Sequence, residues 1–386
     1  MLTLIVFILI LGVLILVHEL GHFLTARMFK VKAEEFGFGY PPRMFGWVKD
    51  NFGKWKFLNR KADASQYKNT VWSLNWLPLG GFVKIKGEDE NALREADSFA
   101  TRSVFQRFII LFAGVFMNFV LCFVFLSVGF MAGIPTMVDD QPDPSLNSTN
   151  QQVQIMSIEP NTPAEQAGLE VGDVFISIDN QPIHYIRDIQ QIISPRNEQL
   201  TQIIVSRGQE EITIEITPLA KTADGTAVIG VGLVKTALVK YPWYQAIYKG
   251  ATTTFDLTVA ILQAFGKIIG DLFTGQKVEA EVAGPVGIAM LTGQVVKLGW
   301  VYVLQFAALL SINLGIINLL PIPALDGGRI LFLIIEKIKG KPVKQKIEGM
   351  IHQIGFMLLM LLMVLVIFKD FKTYGGRIWE SILSIF

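Results

Sequence analysis

Four apolar stretches decide what this chain can become. They run from Leu2 to Ala26, Phe108 to Ile134, Val301 to Leu320 and Ile351 to Phe368. A helix crosses bilayer hydrocarbon with about 20 mostly apolar residues. Only helices and closed barrels can satisfy their backbone polar groups there. Composition agrees, since 51% of the 386 residues are hydrophobic and 17% charged, with a mean hydropathy of +0.45. Charge this sparse does not suit one soluble globule, and it excludes disorder, which needs low hydrophobicity and high net charge. The expected fold is a polytopic α-helical membrane protein with about four transmembrane helices. A net charge of +1 offers no basic patch, so nucleic acid is not an expected partner. The single cysteine, Cys122, excludes an internal disulfide and any multi-cysteine metal site.

The first stretch competes with a signal-peptide reading. No Lys or Arg precedes the apolar run and no A-x-A site follows it, so the segment is expected to stay as a span. Orientation follows from Lys and Arg in the connections. Positions 24 to 107 carry fifteen basic and nine acidic residues, and Arg329 to Glu348 carry six and two. The segment from Thr136 to Lys240 reverses the balance, with six basic and fourteen acidic. The two basic connections are therefore expected in the cytoplasm, with the acidic segment and both termini outside.

Within the acidic segment, a polar linker up to residue 152 is rich in turn formers. A compact α+β domain is expected over 153–219, with strands VQIMSI, DVFISID, QIIVSR and EITIEIT and helices at 163–169 and 186–194. The loop containing Gly168, Leu169, Gly172 and Asp173 resembles that of bacterial PDZ domains. The resemblance implies a groove that captures an extended peptide by strand addition. The glycines would equally serve tight turns. From Tyr241 to Gly275 apolar residues recur every three or four positions, interrupted by Lys249, Asp256, Lys267 and Asp271. That pattern suits an amphipathic helix on the membrane surface, with a fifth span as the alternative. The remaining divisions fall at 1–135, 136–152, 220–300, 301–371 and a tail over 372–386.

The chemistry concentrates at His18-Glu19-Leu20-Gly21-His22. Helical positions i and i+4 share a face, so both imidazoles can meet one metal ion, with Glu19 placed to take a proton from metal-bound water. Ionisable groups inside an apolar run are expensive and point to function. Catalytic zinc usually takes three protein ligands. The other histidines are His184, in the acidic segment, and His352, at the fourth stretch. Asp326 is the better third candidate. It lies in Asn318-Leu-Leu-Pro-Ile-Pro-Ala-Leu-Asp326-Gly-Gly, whose prolines cannot continue a helix and whose glycines permit a sharp turn. Irregular backbone at membrane depth is tolerated only inside protein or along a wet cavity. A helix-capping aspartate is the plainer alternative.

H-E-x-x-H in the first stretch with N-x-x-P-x-P-x-L-D-G after the third is similar to the signature of site-2 proteases, the intramembrane zinc metalloproteases. The order of spans and the inserted domain resemble the bacterial RseP-like branch, the regulator of sigma-E proteases, from Leu2 to about Phe371. The resemblance implies zinc ligands His18, His22 and Asp326, one Zn2+ per chain, Glu19 as catalytic acid and base, and Asn318 in substrate binding. It also implies that Gly81, Phe82 and Val83 form a membrane-reentrant β-loop to which substrate adds as a strand. Ala283 to Ile288 match a family segment to which no catalytic role is given, and Gly114 and Asn118 match a G-x-x-x-N pattern read as helix packing. The implied partners are transmembrane proteins, trimmed beforehand by another protease, and the lipid bilayer. The implied location is the bacterial cytoplasmic membrane, with the PDZ domain outside. The implied roles are regulated intramembrane proteolysis, as of anti-sigma factors, or removal of remnant signal peptides. Unlike the enterobacterial member, this chain has room for one PDZ domain. A PDZ-only scaffold and a transporter are the rival classes. The intact ligand set argues against the first, and the absence of repeats between halves against the second.

Overall fold

A computed structural model describes the chain except Met1, Asn51, Lys61, 89–94, 138–147, Pro160, Gln209, 221–225, 276–283 and 384–386. In chain order its elements are α1 (Leu2–Met28), β1 (Ala33–Lys49), β2 (Trp55–Leu58), β3 (Val71–Ile85), α2 (Val104–Ala132), β4 (Ile134–Met137) and β5 (Ser148–Ile158). There follow α3 (Pro163–Gln166), β6 (Val174–Ile178), β7 (Gln181–Pro182), α4 (Ile186–Ile193), β8 (Thr201–Arg207), β9 (Glu210–Ile216), β10 (Leu219–Ala220), β11 (Ala227–Val228) and β12 (Val231–Val239). The chain closes with α5 (Trp243–Thr274), α6 (Pro285–Leu298), α7 (Trp300–Leu319), α8 (Asp326–Lys339) and α9 (Gln345–Leu383). Two compact units result. One comprises Met1–Phe125, Ala251–Gly293 and Phe306–Phe386, and the other Leu126–Gly250 with Gln294–Gln305.

Among the described residues, four helices are long and apolar enough to cross a membrane: Leu2–Met28, Val104–Ala132, Trp300–Leu319 and Lys346–Lys372. They coincide with the four apolar stretches. On α9, Met357, Leu358, Leu361, Leu362 and Leu365 all face outward. A patch of this kind is an interaction surface on a soluble protein, and lipid removes its cost. Helices α1 and α2 meet backbone to backbone. A Cβ added to Gly21 would stand 2.4 Å from the Ala113 carbonyl oxygen, the close approach that small residues permit.

The sheet of this unit has the order β2-β1-β3. β1 reverses around Tyr40-Pro41-Pro42, where the Pro41–Pro42 peptide is cis. Its first arm is central: Phe36 faces Trp72 on one side and Val83 on the other, and Gly37 faces Ser73 and Phe82. The run Gly81–Ile85 is therefore an edge, paired on one side only among the described residues. The turn into that edge needs glycine. Gly80 has φ +71°, and a Cβ there would meet the Ile15 side chain at 2.5 Å, so the edge is laid directly on α1.

A buried carboxylate pins α6. Asp370 of α9, 3% exposed, accepts from the backbone N–H groups of Gly284 (3.2 Å) and Gly287 (2.9 Å). Negative charge is favoured at a helix N-terminus, which gives the Gly284–Ile288 motif a structural reason. Ala283 lies outside the described residues. Helix α9 runs on to Leu383 and so takes in most of the tail over 372–386.

The second unit is PDZ-like. Its seven-stranded sheet has the order β4-β12-β5-β6-β8-β9, with β7 paired to β6. Val153, Ile155, Phe175, Ile178, Ile189, Ile193, Ile203 and Val205 form its core. The expected strands and helices of 153–219 are present, but the sheet does not stop there. β12 pairs along β5 from Val231↔Ile158 to Val239↔Ser148, and β4 pairs with the end of β12. The partner of residues 231–239 lies some eighty positions earlier, so local pattern does not reveal this strand.

Candidate metal centre

The helical spacing of the H-E-L-G-H motif does what it predicts. His18 and His22, both 6% exposed, turn their rings to one point, with centroids 4.8 Å apart and planes at 82°. Their Nε2 atoms are 3.2 Å apart. The third group arrives from the broken segment after α7. Pro321 and Pro323 end the helix, Ala324 takes φ +80°, and Asp326 is the first residue of α8. The turn is held from α9. The Ala324 N–H donates to His352 Nδ1 at 2.8 Å, and Pro323 rests where a Cβ on Gly355 would be, 2.4 Å away.

Asp326 Oδ2 consequently lies 3.0 Å from His18 Nε2 and 3.4 Å from His22 Nε2. It is buried, with no donor aligned on it. Three electron-rich atoms converging this closely need a cation between them. Ligands about 2.0–2.1 Å from a tetrahedral zinc stand about 3.3 Å from one another, close to the separations here. Among the described residues this is the one group of three or more metal-ligating side chains so arranged. The residues present fit zinc.

The surroundings orient these side chains. His22 Nδ1 donates to the Ile110 carbonyl at 2.8 Å, the outer partner that metal-bound histidines usually have. The amide nitrogen of Asn118, Nδ2, lies 3.2 Å from His18 Nδ1. Gly114, one turn earlier on α2, makes room: a Cβ there would be 2.2 Å from His22 Nε2. Glu19, between the histidines, accepts from the Val83 N–H at 3.1 Å, so the edge Gly81–Ile85 borders the site.

Asn318 sits half-buried in the last turn of α7, eight residues before Asp326. His184 belongs to the other compact unit, the PDZ-like one, where it is exposed. The loop residues Gly168, Leu169, Gly172 and Asp173 belong to that unit too, and there they are built into the fold. Asp173, fully buried, accepts from Arg207 Nε and Nη2 at 2.8 Å, and Arg207 also donates to the Gly168 carbonyl. Hydrogen bonding to Asp173 holds the Arg207 guanidinium above its ordinary pKa, with burial opposing.

Sequence reasoning missed the ion pairs Arg329–Glu88 and Arg107–Glu336, which tie α8 to the turn after β3 and to α2. Both pairs line a cavity of about 910 Å³ that also reaches His352. They join residues more than two hundred positions apart, so no local pattern could reveal them.

A sequence model of Peptidase family M50 matches residues 6–59 and 60–362. The chain is similar to the regulator of sigma-W protease RasP of Bacillus subtilis, 31% identical over 96% of this chain and 98% of that one. It is also similar to the zinc metalloprotease RasP of Geobacillus kaustophilus, 30% identical over 96% and 98%. Among solved structures, the PDZ domain of the SdrC-like protein from Listeria monocytogenes is 24% identical, covering 23% of this chain and 93% of that chain, with a TM-score of 0.21.

Proposed function

This chain belongs to peptidase family M50, a zinc metalloprotease by its relatives and a multi-pass membrane protein, and from that premise we propose that it cuts transmembrane segments of other proteins inside the bilayer. His18, His22 and Asp326 would hold the ion. Bound there, zinc supplies a Lewis acid and a water acidic enough to yield hydroxide near neutral pH. Glu19 Oε accepts the water's proton and delivers it to the nitrogen of the departing strand. Asn318 donates a hydrogen bond to the carbonyl oxygen as charge develops on it. The Arg329- and Arg107-lined cavity beside the Asp326 turn offers polar surface for the water that hydrolysis consumes. The substrates are membrane proteins pre-cut by another protease, anti-sigma factors among the fitting class. The PDZ-like domain lies outside the cytoplasmic membrane and gates their access.

The observation that carries this reading is the edge Gly81–Ile85 set against Glu19. A transmembrane helix buries each peptide bond in its own i to i−4 hydrogen bonds. Unwinding it in hydrocarbon costs several kcal/mol for every freed group left without a partner. A strand edge beside the catalytic carboxylate provides those partners. Val83→Pro removes the edge's backbone donor at that position, the one Glu19 accepts from in this structure, and a proline ring there blocks pairing of the edge with a further strand. In proteoliposomes it should slow cleavage of a leucine-rich span at least 10-fold with zinc content unchanged. A span carrying Gly or Pro near the cut, whose unwinding costs about 1–3 kcal/mol less per such residue, should suffer less. Full activity of Val83→Pro on the leucine-rich span would refute the role of this edge.

A further inference from the structure

Resting on the metal-site reading above, we propose that Asn118 is a positioning residue that fixes the His18 proton on Nδ1 and so leaves Nε2 free as a ligand. The two imidazoles reach the same state by different means. The partner of His22 Nδ1 is the Ile110 carbonyl, which can only accept, so His22 carries a proton on Nδ1 and its neutral ring has Nε2 free for a metal ion. His18 Nδ1 faces a side-chain amide instead, whose oxygen and nitrogen have nearly the same shape and can exchange places by a half-turn.

As placed, the Asn118 nitrogen faces the ring, with Nδ2 3.2 Å from Nδ1, an orientation in which His18 Nδ1 has to accept. The proton would then sit on Nε2, 3.0 Å from Asp326 Oδ2, where the metal belongs. In that orientation Oδ1 is buried and meets no donor, so no second hydrogen bond holds the amide there. With Oδ1 facing the ring, it accepts Nδ1–H and Nε2 is free. The rest of Asn118 is anchored independently of its amide. Its backbone carbonyl accepts from Ser311 Oγ at 2.9 Å, and a Cβ on Gly315 would lie 3.3 Å from Asn118 Cβ. Asn118 is fully buried. With Gly114 it forms an i, i+4 pair on α2 that faces the i, i+4 histidine pair on α1.

The test measures zinc affinity of the full chain in nanodiscs, by competition between zinc and a chelator. Asn118→Leu keeps the volume and loses the acceptor, and should bind zinc about 10–100-fold more weakly, as for other outer-shell partners. Asn118→Asp keeps an acceptor and should stay within a few-fold of wild type. A packing role alone predicts the reverse order, because leucine fills the space and aspartate buries a charge. Folding is controlled by a second measurement on the wild type. The chain has four histidines, so its 15N-histidine spectrum is sparse, and the His18 signals, assigned by their loss in His18→Gln, should show a protonated Nδ1. Wild-type affinity in Asn118→Leu, or a bare Nδ1 on His18, would overturn the proposal. Failure of the wild type to bind zinc would instead overturn the metal-site reading, and this proposal with it.

Discussion

Glu19→Gln is expected to lower turnover by at least about 10²–10⁴-fold, the range for loss of a general acid–base, while zinc stays bound. The carboxylate is the group between the two histidines, and it accepts from the Val83 N–H at 3.1 Å. A glutamine oxygen can still accept that bond, so the edge keeps its place, but an amide cannot take and return a proton at neutral pH. Metal analysis of the purified variant beside a cleavage assay reads both halves. Residual wild-type turnover would remove Glu19 from the mechanism. Loss of zinc would mean that Glu19 belongs to the ligand set.

The second large effect is on the metal itself. Asp326→Ala deletes one of the three converging groups proposed to hold the ion and leaves two buried imidazoles for it. Zinc affinity should fall by more than the roughly 100-fold upper range of outer-shell losses, and cleavage should become undetectable. His352→Gln is the matched control. His352 holds the turn by accepting the Ala324 N–H, which a glutamine oxygen can also do, so zinc content should be unchanged. Zinc retained in Asp326→Ala and lost in His352→Gln would mean that the ligand set is wrong.

Much of this was legible because it is periodic or local. Runs of about 20 apolar residues locate spans whatever their neighbours do, and the bounds differ from α1, α2 and α7 by a few residues. The i, i+4 spacing of His18 and His22 needs only one helix. Asp326 was legible for a different reason, since two prolines and two glycines break a span where a break is costly. What stayed hidden depends on pairing across the chain. The strand Val231–Val239 looks like many apolar runs until Ser148–Ile158 lies beside it. Asn118 reads as helix packing until His18, 100 residues earlier, is seen against it. No sequence pattern marks Asp370, because the Gly284 and Gly287 amides that close on it lie more than eighty positions earlier. In each case the physical signal is a partner, and partners are not written in sequence order.

The most direct test of the central claim is the position of the cut bond. Wild-type protein and a single-span substrate, trimmed on its outer side, are reconstituted in proteoliposomes, and both product fragments are weighed by mass spectrometry with and without a zinc chelator. The account predicts one scissile bond inside the apolar span, cut in the untreated sample, uncut with chelator and uncut by Glu19→Gln. A bond cut in the aqueous flank, or cleavage that persists in the chelator, would contradict it.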